Sequence, residues 1–361
     1  MPRPIASTAR RLAARALLAA LAAALTLGLA ACGDDSDDSG AAATGAGTEA
    51  AAAAPDRITI GYQLIPNGDL VVKNKKWIEE ALPGTAIEWK QFDSGGSVNE
   101  AFAAGSLDIG LAGSSPVSRG LSQGISYRVP WIHDVIGTAE ALVVKEGITS
   151  IADLAGKKVA VPLASTTHYS LLAALRDAGV DPGDVDIIDA EPPDIVAAWT
   201  RGDIDAAYVW NPSLAELKAD GGTVITDSAE QAKAGHTTYD LAVVSTDFAA
   251  KYPAAVTTWV AQQDRAVKLF RSDPADAAAA IAAELNLTPD EALAQAKDLV
   301  FLTAAEQAGA DYLGGTLGAD LFSTATFNKE VGELTGVKAE GDYVAAVVPT
   351  FAAAVSGGDA E

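Results

Sequence analysis

Two short segments carry the side chains best suited to holding an anion. Ser114-Ser115-Pro116 and Ser165-Thr166-Thr167-His168 each place hydroxyl residues directly ahead of an apolar-periodic helical pattern. The first N–H groups of a helix lack internal partners and carry partial positive charge, so such a start can receive an oxyanion. Serine or threonine before a helix is also a plain cap, and residue type alone leaves both roles open. Pro116 is expected at the first helical position, where its missing N–H costs nothing. A third segment, Gly120-Leu121-Ser122-Gln123-Gly124, has the spacing of a nucleophile elbow. That motif needs a strand before its serine. Here it follows a helix start, and it reads as the end of that helix. The single cysteine, Cys32, and the histidines His133, His168 and His236 show no zinc-ligand spacing. No metal, cofactor or catalytic residue is expected.

The elements that must position these segments alternate. Strand candidates are Arg57–Gln63, Ala86–Gln91, Asp108–Leu111, Ala141–Lys145, Lys158–Val161, Asp186–Ile188, Ala206–Val209 and Leu241–Val244. Helical patterns lie between them at Val98–Ala104, Tyr169–Ala178 and Ile195–Thr200, each followed closely by a glycine. From Thr246 to about Leu299 the pattern is mostly helical. Strands alternating with helices predict an α/β architecture. A weak internal repeat divides it: Gly105-Ser106-Leu107-Asp108-Ile109-Gly110 resembles Gly202-Asp203-Ile204-Asp205-Ala206-Ala207. Each copy opens a short strand that runs into a proline-containing loop. Two similar lobes, each with a loop at the carboxyl end of a strand, would face each other across a cleft, where α/β sheets bind ligands. A length of 361 residues fits about two such units.

The N-terminus reads as an address. Arg3, Arg10, Arg11 and Arg15 precede an Ala/Leu-rich run from Leu17 to Ala31, the layout of a secretory signal. Leu29-Ala30-Ala31-Cys32 resembles the bacterial lipobox, which implies a signal peptide over 1–31 and lipidation of Cys32. Residues 32–56 lack apolar periodicity and are expected to form a flexible tether. No later segment is apolar enough to span a bilayer, so contact with the membrane is expected through the lipid alone. A formal charge of −23 repels phosphate backbones and excludes nucleic acid as a natural partner. It also excludes long-range attraction of an anion; any anionic ligand must be held by local dipoles.

The stretch FDSGGSVNEAFAAGSLDIGLAGSSP, from Phe92 to Pro116, is similar to the first lobe of bacterial taurine-binding proteins. So are Glu140–Lys145, Gly156–Pro162, Ser165–Leu175 and the run from Arg201 to Trp210. The resemblance covers about Ile58 to Leu302. Much of it is shared with alkanesulfonate-, nitrate- and thiamine-precursor-binding relatives; STTHYSLLAAL and YVW are closer to the taurine branch. It implies a two-lobed type II periplasmic-binding fold with a ligand cleft between the lobes. Lobe 1 would comprise 57–142 and 244–361, and lobe 2 would comprise 143–243. It further implies an extracytoplasmic, monomeric solute-binding lipoprotein that serves an ABC permease and its ATPase.

Under that fold Ser114, Ser115, Ser165, Thr166, Thr167 and His168 would lie at the sulfonate end of a bound zwitterion. Glu140 and Asp240, on the two crossings between lobes, would meet its ammonium. Trp210 would add a cation–π contact and exclude water, and Gln63 would serve either end. His168 packing within its own helix is an equal reading. Departures at Leu64-Ile65-Pro66-Asn67, at Trp131-Ile132-His133-Asp134 and at Asn211 leave another alkanesulfonate or a nitrate-like anion open. An enzyme of the thiamine-pyrimidine type is the rival of a different class.

Overall fold

The computed structural model describes residues 54–357. The expected signal peptide, Cys32 and most of the tether therefore lie outside the described residues. Among the described residues, eleven strands form two sheets. The strands are β1 (Arg57–Tyr62), β2 (Ala86–Gln91), β3 (Ile109–Gly113), β4 (Tyr127–Ile136), β5 (Glu140–Val144) and β6 (Lys158–Val161). They continue with β7 (Asp186–Asp189), β8 (Ala206–Trp210), β9 (Thr223–Asp227), β10 (Tyr239–Ser245) and β11 (Leu299–Val300). The first sheet has the order β11-β4-β10-β3-β1-β2, and the second β7-β6-β8-β5-β9.

Without β11 the two sheets have one plan. In each, a parallel trio (β2-β1-β3 or β7-β6-β8) meets an antiparallel strand, β10 or β5, and then a further antiparallel strand. The repeat read from the sequence sits at the same place in both. Asp108 Oδ2 accepts from the N–H of Thr59 at 2.8 Å, and Asp205 Oδ2 accepts from the N–H of Lys158 at 2.9 Å. The backbone carbonyls of Asp108 and Asp205 then accept from Ser245, the last residue of β10, and Lys145, the residue after β5. One aspartate in each copy thus ties three strands together.

The second sheet is covered on both faces, which explains why its strands read as continuous apolar runs. Leu142 and Val144 pack with Val159, Val161, Leu171 and Tyr208 on one side. Ala141 and Val143 pack with Ala160, Ile195, Trp199 and Val209 on the other. The larger cluster surrounds the first sheet and takes in the helices Pro253–Ser272 and Pro274–Leu285.

The structure differs from the sequence reading in three strands. β4, β9 and β11 were not expected. Pro130 in the middle of β4 argues against a strand, because it cannot donate to a ladder. It is accommodated because β11 reaches only Val135 and Ile136, leaving the rest of β4 without a strand on that side apart from an isolated bridge at Val129. The lobe divisions expected at 142/143 and 243/244 lie within β5 and β10. All of β5 pairs in the second sheet and all of β10 in the first. The chain changes sheets between Ile136 and Glu140, and returns between Asp227 and Tyr239. The two changeovers touch, since the N–H of Ile136 donates to the carbonyl of Thr238. Glu140 and Asp240 are consequently the first and second residues of the strands that leave this double crossing.

Candidate functional site

A small cavity lies where the two sheets meet. It is lined by Gln63, Ile65, Gly95, Gly113, Pro116, Glu140, Ser165, Thr166, Trp210 and Asp240. Its volume is about 10 Å³, room for roughly one water molecule. The two halves are in tight contact here. A Cβ built on Gly113 would stand 2.5 Å from Cγ2 of Thr166. Only glycine permits that approach of the first sheet's β3 to the second lobe's helix.

Two helix N-termini face this cavity. The helix Ser114–Gln123 begins one residue after Gly113 and brings in Pro116. The helix Thr166–Asp177 begins after its N-cap, Ser165. Ser165 Oγ donates to the carbonyl of Pro162 at 2.6 Å and accepts from the N–H of His168 at 3.1 Å. Thr167 Oγ1 lies 2.7 Å from the same oxygen. These hydroxyls therefore brace the cap, and the first-turn N–H groups are what the helix offers to an anion.

The opposite character comes from carboxylates. Glu140 Oε1 accepts from the Thr166 hydroxyl, and Oε2 accepts from Ser228 Oγ at 3.1 Å. Asp240 sits directly across the β4–β10 ladder from Asp134. Burial, reinforced by the charge of Asp240, pushes Glu140 up to about 8. Burial pushes Asp240 up to about 7. Among the described residues, the ion pairs of Glu140, Asp240, Asp134 and Asp69 include no lysine or arginine; only His133 comes near, 3.6 Å from Asp69. His133 is itself neutral, because burial lowers it to about 3. The cavity thus combines a helix start with acids, Glu140 being hydrogen-bonded to Thr166 at that start, and Trp210 packs on Ile65, Leu111 and Leu299. This lining offers partners for both an anionic and a cationic group, and the two halves must part before anything larger than a water enters.

The sequence pattern of the family described as the substrate-binding domain of ABC-type glycine betaine transport systems matches residues 56–296. The chain belongs to this family of ABC-transporter substrate-binding domains. It is 38% identical over 301 residues to the taurine-binding periplasmic protein of Escherichia coli K12, covering 81% of this chain and 92% of that one. A putative aliphatic sulfonates-binding protein of the same organism is 32% identical over 189 residues, 52% of this chain and 59% of the relative. Among solved structures, the alkanesulfonate-binding protein of Xanthomonas axonopodis pv. citri bound to MOPS superposes with a TM-score of 0.70 at 23% identity, over 82% of this chain and 99% of that one. The fold of this substrate-binding domain is therefore the expected two-lobed periplasmic-binding fold.

Six of the ten residues singled out in the sequence line the cavity: Gln63, Glu140, Ser165, Thr166, Trp210 and Asp240. Four do not. Ser114 and Ser115 are the first two residues of their helix, with Gly113 as the cap, so Pro116 is third and not first. Ser114 Oγ accepts from the N–H of Tyr239, and Ser115 Oγ accepts from Asn328. Thr167 points to the cap of Ser165. His168 Nδ1 accepts from the N–H of Ala164, whose φ of 61° places it in the left-handed region. The histidine thereby holds a strained residue just ahead of the cap. Ser122 donates to the carbonyl of Ser118 one turn earlier and contacts Tyr343, at the end of its helix, as the sequence suggested. Residues that the sequence reading missed are Gly95, which lets Pro116 pack close, Gly113, which lets Thr166 approach, and Asp134, whose strand was hidden by Pro130.

Proposed function

We propose that this substrate-binding domain captures taurine, or a close aminosulfonate, outside the cytoplasm and delivers it to an ABC permease. The observation that carries this is the pair of buried carboxylates, Glu140 and Asp240, in one cavity with the N-terminus of helix Thr166–Asp177 and, among the described residues, with no lysine or arginine in an ion pair with them. A simple anion such as nitrate makes no use of two acids in its site and is repelled once they ionise. A primary ammonium has. It donates hydrogen bonds to carboxylates, whereas the quaternary ammonium of a betaine cannot and is usually held by an aromatic cage. Here Trp210 is the one aromatic side chain lining the cavity. The relationship to the taurine-binding protein of Escherichia coli supports the same reading.

In this reading the two sheets are the cores of two lobes, divided at 137–139 and within 228–238. The cavity is the closed state of the cleft, and opening about the double crossing admits the ligand. The chain binds and does not catalyse. It acts as a monomer, exported by the signal segment 1–31 and anchored to the membrane through a lipid on Cys32, with 32–56 as tether. The test is Asp240→Asn. It should weaken taurine at least tenfold while changing methanesulfonate, which lacks the amine, less than threefold. Calorimetry that finds equal losses for both ligands removes Asp240 from the amine, and with it the reason for preferring taurine.

A further inference from the structure

Behind Asp240 the acids continue away from the cavity. Asp134 faces it across the ladder, fully buried. Asp134 Oδ2 accepts from Asn67 at 3.4 Å, while Oδ1 has no donor. Asn67 also caps the next helix by accepting from the N–H of Asp69. Asp69 in turn accepts from Gln263 Nε2 at 2.6 Å. The titratable groups around Asp134 are Asp240 on β10, Glu140 on β5, Asp69 on the helix Gly68–Asn74 and its neighbour His133 on β4. Three of these four are acids, and the histidine is neutral. Burial and the charge on Asp240 hold Asp134 well above the usual carboxylate range. Two adjacent buried acids cannot both ionise without a cation.

We propose that Asp134 is the positioning residue of the cation subsite: it keeps its proton, donates it to one oxygen of Asp240, and so turns the other oxygen to the ligand's ammonium. Asp240 is then the group that gives way. In the empty protein below about pH 7 it is protonated; an arriving ammonium ionises it and the proton passes to solvent. Capture of a cationic ligand is therefore coupled to proton release, whereas capture of a sulfonate without an amine is not. This rests on the reading of the site as one for an aminosulfonate.

The experiment is titration calorimetry of the intact protein at pH 6 in buffers of different ionisation enthalpy, with taurine and with methanesulfonate. Taurine should release about one proton or more per site, and methanesulfonate none. Taurine affinity should rise up to tenfold per pH unit between pH 5.5 and 6.5, the slope for one displaced proton. Asp134→Val, which removes the donor, should lower taurine affinity at least tenfold more than methanesulfonate affinity, and Asp134→Asn, which restores an N–H donor, should recover most of that difference. Taurine binding with no buffer-dependent heat overturns the proton coupling and leaves the functional reading standing. A valine variant with an unchanged taurine-to-methanesulfonate ratio overturns the positioning role. A folded wild-type protein that binds methanesulfonate but not taurine refutes the functional reading itself. The wild-type proton count decides the coupling even if the valine variant does not fold.

Discussion

The empty protein should lose stability as pH rises through neutrality, the reverse of what a surface rich in paired carboxylates would give. Glu140 is raised from 4.5 to about 8, and Asp69 and Asp240 from 3.8 to about 7. In the unfolded chain all three ionise below pH 5. Between those limits the folded protein binds more protons than the unfolded one, so stability falls with pH. The stabilisation is complete below the unfolded values and disappears as pH passes through the folded ones. His133 acts oppositely: lowered from 6.5 to about 3, it makes stability rise with pH across that interval. The clearest window is therefore pH 6.5 to 8, across which the opposing contribution of the unfolded histidine fades. One proton held across it is worth about 1.4 kcal/mol per pH unit, or about 2 kcal/mol in total. For a domain of this size that is a fall in Tm of about 4 °C. Thermal unfolding followed by tryptophan fluorescence would measure it. Saturating taurine should flatten the slope, because its ammonium replaces the protons. A Tm that is constant or rising from pH 6.5 to 8 in the empty protein would show that the acids are ionised in the fold, and the account of the site would be wrong.

Two further outcomes follow from packing. Gly113→Ala places a methyl group 2.5 Å from Cγ2 of Thr166, so it should hold the cleft ajar. We expect at least a tenfold loss of taurine affinity and, in small-angle scattering, less compaction with ligand than wild type; normal affinity would mean that the approach is not needed for binding. Leu171, wholly buried between the helix Thr166–Asp177 and the second sheet, should cost about 2–5 kcal/mol when changed to Ala, measured by urea unfolding.

Most of the fold was legible because its signals are local. The apolar and β-branched runs of β1, β6 and β8 and the glycines that end helices are visible within a few residues. The Gly-x-x-Asp repeat was legible for a stronger reason: the same three-strand tie recurs at Asp108 and Asp205, so the same residues recur. β4 was not legible, since Pro130 breaks the propensity and only the short reach of β11 excuses it. The helix starts were placed late. The reading began each helix at its apolar stripe, whereas Thr166 and Gly95 begin theirs near the cap, in sequence that is polar or small.

The site divided along a similar line. Side chains that line the cavity from their own strand or helix end, such as Gln63, Glu140, Thr166, Trp210 and Asp240, were named from the sequence, chiefly through the family resemblance. Those defined by cross-lobe or cross-strand distance were not: nothing local marks Gly113 as facing Thr166, or Asp134 as facing Asp240. The second pair also resolves the puzzle posed by composition. A chain of net charge −23 should repel an anion. It can still hold one if the acids nearest the site are neutral when it is empty, so that the helix N-terminus is locally unopposed. Charge then develops on Asp240 when an ammonium arrives to balance it. On this argument the zwitterion is favoured over a plain sulfonate by the protein's own protonation, and the preference should narrow at pH 5, where ionising Asp240 becomes harder.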